Sequence, residues 1–333
     1  MLFKLTGFYV EDIKVLEEAG YSVICTNKYV SYLKFWKYDI AFLYFYKKSL
    51  IPAILSRLLL KKVIFTGGID ELSDKIEINR KQLYIFRLLF KINYFLSHCC
   101  NIVSKEDFIN VVKLLDKFPK MSSSKLSYWP HSINVVDYNF ANSFEKENII
   151  TTICWMSTIS NVKRKGVDRL IYLFKKIKAT HKDYSLYLIG SLGEGSDYIK
   201  GIISKEGLEG SVIFTGPLDE NIKLNLLSRS KYYMQLSTYE GFGLAVIEAM
   251  MLKNYIFHTG NGGLKDTIAD CGYLIKDFNE YSDSLIFFDE LENEQYKDSR
   301  QLEKNKQFVI DNFSRSSRAK YFNNIILDQY VKK

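Results

Sequence analysis

The sequence is poor in proline, histidine and cysteine. Its 333 residues include 4 Pro, 4 His and 5 Cys. Cys99 and Cys100 are neighbours and the other cysteines are isolated, so the spacing indicates neither a disulfide framework nor a C-x-x-C metal site. This cysteine usage fits a reducing compartment, and we expect a cytoplasmic protein.

Long uninterrupted apolar runs are absent as well. Acidic side chains occur within the first dozen residues, which lack the apolar core of a signal peptide. The most apolar region of the chain is interrupted by five basic residues, Lys47, Lys48, Arg57, Arg87 and Lys91. The sequence therefore predicts neither secretion nor a membrane-spanning helix.

The composition is that of an ordinary globular protein. Hydrophobic residues make up 47% of the chain and charged residues 25%, and the length suffices for two domains of similar size. The net charge of +8 is concentrated in the first half, with 21 basic and 15 acidic side chains up to residue 147 against 25 and 23 beyond it. No zinc pattern, RNP-like aromatic motif or dense Lys/Arg run accompanies this charge. We therefore expect an anionic membrane surface or a phosphorylated lipid as partner, and no nucleic acid.

Short apolar runs alternate with longer helical patterns throughout the chain. In the first half, strands are predicted at Tyr21 to Thr26, Ile40 to Tyr46 and Val63 to Thr66, which indicates an α/β domain. The stretch from 118 to 147 combines two prolines, a serine run and mixed charge. We therefore predict an interdomain linker within 135–147.

The second half repeats the alternation and predicts a doubly wound sheet. Strands are expected at 149–156, 184–190, 211–216, 232–237 and 254–259, and helices at 166–178, 221–228 and 243–251. Ligands of such sheets bind at the carboxyl ends of the strands. The loops that follow the five strands are therefore expected to share one cleft.

The segment LSTYEGFGLAVIEAM, residues 236–250, carries the most information. Glu240 lies in a loop after a strand, Gly241 and Gly243 open the next helix, and Glu248 follows eight positions after Glu240. Glycines let the backbone approach a phosphate, and the helix N-terminus supplies unpaired N–H groups. Acids in the first turn of a solvated helix are the alternative interpretation.

This segment resembles the E-x7-E motif of family 4 glycosyltransferases, the glycosyl transferases group 1, which have the GT-B fold and retain anomeric configuration. The resemblance implies that Glu240 contacts hydroxyls of the transferred sugar and that Glu248 accepts hydrogen bonds from the nucleotide ribose. It also implies that the intervening residues line the donor site, namely Gly241, Phe242, Gly243 and Leu244.

A basic segment, NVKRKGVDRLI at 161–171, precedes a predicted helix. It resembles the Lys-Gly element of the same family, which implies that Lys165 contacts the donor phosphates. The family carries a further Arg just after the preceding strand, where this chain has Ser157 and Thr158, so we expect Arg164 to substitute for it. A solvated basic turn at a helix N-terminus is the alternative interpretation.

Glycines after three other strands extend the resemblance. The loop GNGG at 260–263 resembles the family's Gly-Gly loop, so Gly262 and Gly263 are expected to contact the donor, with a plain glycine turn as the alternative. Gly190 follows its strand as in the family. Thr215 and Gly216 correspond to the base-binding edge, which places them near the nucleobase.

Acceptor-side residues are assigned from short motifs in the first half. In VIFTGGID, residues 63–70, Gly68 and Asp70 are candidates for binding acceptor or sugar, with a helix N-cap as the alternative for Asp70. In YWPHSIN, residues 128–134, His131 is a candidate, with a structural role as its alternative.

A predicted helix at 80–98 groups basic and aromatic residues on one stripe: Arg80, Tyr84, Arg87, Lys91 and His98. Such a stripe suits anionic lipid. A mostly buried helix with one solvated stripe is the alternative.

The resemblance implies a GT-B protein with two Rossmann-like doubly wound domains facing a central cleft. Residues 1–147 form the acceptor-side domain and 148–333 the nucleotide-sugar-binding domain, with a terminal helix that returns to the first domain as an option. We expect a cytoplasmic protein that can attach peripherally to the inner face of the cell membrane.

The expected activity is that of a retaining hexosyltransferase for cell-surface polysaccharide or glycoconjugate synthesis. Its donor is UDP- or GDP-linked, its acceptor is a glycan that is expected to be lipid-linked, and it uses no cofactor. No metal is expected, because the chain has no D-x-D sequence.

Three other functions are alternatives to a glycosyltransferase. The pair Glu240 and Glu248 argues against a non-catalytic GT-B-like binding or partner subunit. The length of the chain argues against a sugar phosphorylase of the best-known type. The segment LYLIGSLGEG, residues 186–195, lacks the G-x-G-x-x-G spacing of an NAD-dependent oxidoreductase.

Overall fold

The computed structural model describes residues 7–73, 76, 78–117, 123–138, 145–293 and 299–323. The chain divides into two compact units. The first comprises Met1–Asn134 and Phe313–Lys333, and the second comprises Val135–Asn312. Of the predicted linker, residues 139–144 lie outside the described ranges.

The first unit is an α/β unit with a parallel sheet. Its elements are α1 (Phe8–Glu18), β1 (Ile40–Tyr44), α2 (Tyr46–Leu58), β2 (Lys62–Thr66), α3 (Arg80–Leu96), β3 (Cys99–Ile102), α4 (Lys105–Asp116) and β4 (Leu126–Tyr128). The four strands pair in parallel in the order β1-β2-β3-β4.

The two faces of this sheet bury different clusters. Because side chains alternate along a strand, the neighbours Cys99 and Cys100 point to opposite faces. Cys100 packs with Phe65 and Phe90 in the core beneath α3. Cys99 packs with Trp129 in a second core. This alternation explains why adjacent cysteines form no pair.

The second unit contains the larger sheet. Its first elements are β5 (Glu147–Ile153), α5 (Ile159–Lys165), α6 (Val167–Thr180), β6 (Ser185–Ile189), α7 (Glu194–Glu206), β7 (Val212–Gly216), α8 (Glu220–Arg229) and β8 (Ser230–Gln235). Then follow α9 (Leu244–Met251), β9 (Tyr255–His258), α10 (Leu264–Ile268), β10 (Tyr273–Leu274), α11 (Ser282–Asn293) and α12 (Ser299–Phe313).

The last helix, α13 (Arg315–Tyr321), belongs to the first unit. Arg318 donates two hydrogen bonds to the Asp12 carboxylate of α1, at 2.8 and 2.9 Å. Its remaining nitrogen donates to the carbonyl oxygens of Trp129 and Pro130. Both charged side chains are almost completely buried. Removal of either partner would leave a buried charge uncompensated, so this bidentate pair fixes α13 on α1.

The six strands of the second unit are parallel and ordered β10-β9-β8-β5-β6-β7. The chain moves outward from β5 through β6 to β7, then returns to place β8 on the other side of β5. The direction of winding thus reverses between β5 and β8. Such a reversal leaves room for a ligand at the carboxyl ends of the two strands.

Most predicted elements of the second unit are found within a few residues of their expected bounds. In the first unit, the strand predicted at Tyr21 to Thr26 is wrong, because this segment is largely exposed and pairs with no strand among the described residues. His98 also lies outside the predicted stripe, since α3 ends at Leu96 and the His98 ring accepts a hydrogen bond from the Val63 N–H.

None of the helices in the described ranges is both long enough and apolar enough to cross a membrane.

Candidate active site

Lys165 and Glu240 meet at the winding reversal of the second sheet. Lys165 ends α5, which follows β5, and Glu240 lies in the loop that follows β8. The Lys165 Nζ donates to Glu240 Oε2 at 2.5 Å, and both side chains are mostly buried. An ion pair at the carboxyl edge of the central strands places opposite charges where a ligand of a doubly wound sheet binds.

The basic residues lie at a helix C-terminus. Arg164 and Lys165 occupy the last turn of α5, and Gly166 then adopts a left-handed conformation with a φ of 67° before α6 begins. These cations also directly precede α6, but Lys165 is mostly buried and does not fit the alternative of a solvated turn, and the dipole of α5 favours both charges. A Cβ at Gly166 would lie 1.9 Å from the Leu236 carbonyl oxygen, so the close approach of α5 to the segment after β8 requires glycine.

Arg164 ties α5 to the loop that carries Glu240. Its guanidinium donates to the Tyr239 carbonyl oxygen at 3.2 Å and to Asn161 Oδ1 at 2.9 Å. The Arg164 carbonyl oxygen in turn accepts from the Thr238 N–H at 2.8 Å. The guanidinium is therefore bonded to the residue that directly precedes Glu240.

Cys154 follows β5 and lies close enough to Lys165, Arg164 and Glu240 for their charges to act on its thiol. Burial raises the pKa of its thiol to about 11, and the charges of Lys165 and Arg164 oppose that rise. The thiol is therefore neutral at physiological pH and unsuited to act as a nucleophile.

Glu248 forms a second ion pair. Its Oε2 accepts from Lys223 Nζ of α8 at 2.8 Å, and Lys223 also lies 2.8 Å from Glu220. Burial raises the pKa of Glu248, and Lys223 opposes that rise. Burial disfavours the charge of Lys223, but Glu248 and Glu220 together raise its pKa. The charge of Lys223 thus stabilises the ionised carboxylate of Glu248.

The glycine loop after β9 is packed directly on the Glu240 loop. Glu240 and Gly262 form an isolated parallel bridge, and the Gly263 N–H donates to the Glu240 carbonyl oxygen at 2.7 Å. A Cβ at Gly262 would lie 2.3 Å from that oxygen, and one at Gly263 would lie 2.5 Å from the Gly241 carbonyl oxygen. These glycines therefore allow two loops to meet, and the Gly263 N–H is occupied within the protein.

Comparison with known proteins decides the family. Residues 142–309, half of the chain, match the family described as glycosyl transferases group 1. The chain belongs to the group 1 glycosyl transferases. The family resemblance recognised from LSTYEGFGLAVIEAM is thereby confirmed.

Two solved structures match this group 1 protein over most of its length. HepE of Anabaena in complex with UDP and glucose has a TM-score of 0.71 at 14% identity, covering 90% of this chain and 81% of that chain. TarM of S. aureus, in complex with UDP and sugar ligands, has a TM-score of 0.70 at 19% identity, covering 89% and 57%. The predicted GT-B fold, with two α/β units that each contain a parallel sheet, is confirmed.

A curated relative shares more sequence over a shorter stretch. The trehalose synthase of Thermococcus litoralis is 29% identical over 160 residues, which cover 45% of this chain. The match spans only 38% of that relative's own length.

The other predicted donor-side residues of this group 1 protein differ in the space around them. Gly190 has a φ of 140° and its N–H donates to the Gly216 carbonyl oxygen, and a Cβ there would lie 2.0 Å from the Cys154 carbonyl oxygen. Gly216 has open space around its Cα. The Thr215 hydroxyl donates to the Gly216 carbonyl oxygen at 2.8 Å. Both glycines are buried, and Gly190 leaves no room for a side chain whereas Gly216 does.

Between the two glutamates, the motif forms the start of α9. Gly241 and Phe242 are buried, and Gly243 caps the helix with a φ of 101°. Leu244 is the first helical residue. Helix α9 therefore begins four residues after Glu240.

The acceptor-side candidates lie in the first unit. Asp70 begins a single turn of 3-10 helix and is not its N-cap, and a Cβ at Gly68 would lie 2.8 Å from the Asp70 carboxylate. His131 is 4% exposed and stacks on Phe8 with ring centroids 4.3 Å apart. Burial and the charge of Arg318 lower the pKa of His131 to about 3. His131 is thus a neutral core residue in this structure.

Three side chains near the motif were not singled out from the sequence. Asn161 bridges Arg164 and the Trp155 carbonyl oxygen, Lys223 supports Glu248, and Gln235 lies within reach of Glu240. Only Gln235 leaves a signal in the sequence, since it is a lone amide in the otherwise apolar strand YYMQL.

Proposed function

We propose that this chain is a retaining glycosyltransferase whose second unit binds a nucleotide sugar and transfers the sugar to a glycan acceptor. The observation that carries the proposal is the Lys165–Glu240 ion pair at the winding reversal. A cation and a carboxylate at this point suit a leaving diphosphate and the hydroxyls of the departing sugar. The UDP and glucose bound by the similar HepE support this assignment.

The charges around the motif suit departure of a diphosphate. Lys165 and Arg164 supply positive charge after β5, and the first N–H groups of α9 face the same edge of the sheet. As the bond between the anomeric carbon and the phosphate oxygen breaks, negative charge grows on the diphosphate. Preorganised cations stabilise that charge more strongly than solvent does, so no metal is required in this proposal.

The sugar and ribose are assigned to the two glutamates. Glu240 accepts hydrogen bonds from sugar hydroxyls and stabilises the oxocarbenium-like charge, and Glu248 accepts from the ribose. The acceptor hydroxyl attacks the anomeric carbon on the face that the diphosphate leaves, and its proton passes to the departing phosphate oxygen. Configuration is retained because the bond forms on the face where the other bond breaks.

A donor screen tests this proposal. Purified protein is incubated with UDP- and GDP-linked hexoses, beginning with UDP-glucose, and free nucleotide and sugar are followed by proton NMR. We expect hydrolysis or transfer from one donor, with the anomeric configuration of the donor kept in the first product. Binding without turnover of every donor would favour a binding subunit, and the opposite anomer would contradict retention.

We further propose that the first unit meets an anionic membrane that carries a lipid-linked acceptor. The supporting feature is one face of α3, on which large apolar and basic side chains alternate. Tyr84 and Phe95 are 70% and 73% exposed, and Leu88 between them is 45% exposed. Only Phe90, Asn93 and Tyr94 of this helix are buried. We call the six residues Arg80, Tyr84, Arg87, Leu88, Lys91 and Phe95 the basic-apolar face.

Helix α2 extends the exposed apolar surface. Ile51, Ile54 and Leu58 are exposed and spaced so that they share one side of the helix. Asn93 of α3 donates to the Tyr46 carbonyl oxygen at the start of α2, so the two helices are adjacent. Exposed apolar side chains beside Lys and Arg are typical of surfaces that lie on anionic lipid.

Liposome sedimentation tests the membrane proposal. Binding is expected to rise with the fraction of anionic lipid and to fall with salt. Each basic residue near such a surface contributes about 1 kcal/mol, so changing Arg80, Arg87 and Lys91 to Glu should weaken binding at least about a hundredfold.

The control variant changes three exposed lysines of the second unit, Lys182, Lys200 and Lys205, to Glu and keeps the same net charge as the test variant. Equal loss of binding in both variants would show a general charge effect and contradict the assignment to α3. Absence of binding at low salt would indicate a soluble acceptor.

A further inference from the structure

Gln235 is an amide buried in the centre of the second sheet. It is the last residue of β8 and is 2% exposed. Its Oε1 accepts from the Tyr233 hydroxyl at 2.8 Å. Its Nε2 donates to Ser237 Oγ at 2.6 Å and lies 3.4 Å from Glu240 Oε2. A buried amide costs free energy unless its hydrogen bonds are made, and here both ends are used.

A chain of hydrogen bonds fixes the direction of this amide. The Tyr233 hydroxyl accepts from the Ile153 N–H of β5 at 3.3 Å, and it donates its own proton to Gln235 Oε1. Burial raises the pKa of Tyr233, so the hydroxyl keeps that proton at every physiological pH. With Oε1 occupied by Tyr233, the amide N–H groups face Ser237 and Glu240.

The two oxygens of Glu240 differ in their surroundings. Three donors converge on Oε2: Lys165 Nζ at 2.5 Å, Ser237 Oγ at 3.3 Å and Gln235 Nε2 at 3.4 Å. Among the residues that the structure describes, none donates a hydrogen bond to Oε1. One oxygen is therefore held by the protein and the other is left for a ligand.

We infer that Gln235 is a positioning residue for Glu240 in the transfer reaction, an inference that rests on the proposed function. By donating to Oε2 directly and through Ser237, the amide sets the rotamer of the carboxylate and presents Oε1 to a sugar hydroxyl. The role needs a neutral donor of this length. A carboxylate at 235 would repel Glu240, and an apolar side chain would remove one donor from Oε2.

Two substitutions separate positioning from structural support. Gln235→Met keeps the length and removes the amide, and Gln235→Glu keeps the shape and the bond from Tyr233 but adds a negative charge. The control is Thr151→Val, which removes a buried hydroxyl of the neighbouring strand β5 that donates to the Tyr232 carbonyl oxygen. Melting temperature and kcat and KM for the donor are measured for each variant.

For Gln235→Met we expect kcat to fall about ten- to a hundredfold, the effect of losing one hydrogen bond to a charged group, with little change in KM. Its melting temperature should drop no more than that of Thr151→Val, which should keep nearly full activity. A kcat for Gln235→Met within twofold of the control would overturn the inference.

The dependence of kcat/KM on pH is measured for Gln235→Glu, because a purely structural role of Gln235 would leave this dependence unchanged. A neighbouring carboxylate disfavours the ionised form of Glu240, so the acid limb of kcat/KM should move to higher pH. An unmoved acid limb in a folded protein would contradict the inference. Glu240→Gln distinguishes failure of the proposed function from failure of the positioning role. If that variant stays active, the proposed function fails. If it is inactive while both Gln235 variants are normal, only the positioning role fails.

Discussion

Changing Glu240 to Gln should reduce sugar transfer at least a hundredfold while leaving the protein folded. The substitution preserves shape but removes the charge that Lys165 faces and that the proposal assigns to the sugar. Glu240 lies in a loop, so the protein should stay folded, but the mostly buried Lys165 loses its counter-ion and the melting temperature should fall. Initial rates with the donor found in the screen measure the effect.

Glu206→Gln is the matched control for this variant. Glu206 pairs with Lys175 at 2.6 Å, and its side chain is about as buried as that of Glu240. The pair joins α6 and α7 and touches none of the motif residues. We expect normal transfer from this control. Turnover near the wild-type rate in Glu240→Gln would refute the assignment of the motif glutamate.

Changing Lys165 to Ala should cost about 2.7–4 kcal/mol of transition-state stabilisation, or about a hundred- to a thousandfold in kcat, the range for removing one preorganised electrostatic donor. The expected loss is in kcat because the charge on the diphosphate grows as it leaves. Addition of EDTA should leave the wild-type rate unchanged.

Lys175→Ala serves as the control, because it removes the same side chain from an ion pair outside the site. A rate for Lys165→Ala within a few-fold of this control would argue against cation-assisted departure. Recovery of activity by an added divalent ion after EDTA would argue for a metal in place of the lysine.

The second unit could be predicted well from the sequence because its strands are short apolar runs bounded by glycine or polar residues. The alternation at 184–190 and 211–216, for example, has no competing helical period. The helix at 166–178 is likewise found as α6. Both motif segments fall on the predicted edge, since the carboxyl ends of β5 and β8 adjoin.

The pairings within the site could not be predicted. Lys165 and Glu240 are 75 residues apart, and only the order of the strands brings them together. The short helix α5 was missed because ISNVKRK has no apolar stripe. Lys223 stands in a helix where a solvated lysine is the ordinary expectation, and its burial beside Glu248 depends on how α8 and α9 pack.

Sequence patterns were less reliable guides to structure in the first unit than in the second. The run from Tyr21 to Thr26 has strand composition, but within the described part of the chain it pairs with no strand, and the Thr26 hydroxyl accepts a hydrogen bond from the Lys28 N–H. His131 is buried against Phe8, which fits the structural alternative, and its part in the site stays a prediction. Whether Asp70 and Gly68 meet an acceptor stays a prediction.

The bidentate bond between Asp12 and Arg318 has a consequence for synthesis of the protein. The two residues are 306 positions apart in the chain. At about 5–20 residues per second, the ribosome completes α13 about 15–60 s after α1 has emerged. During that interval the Asp12 carboxylate has no guanidinium to pair with, and the whole second unit is synthesised before α13. A chain that ends at residue 312 would therefore contain the whole second unit but lack α13 and the guanidinium that pairs with Asp12.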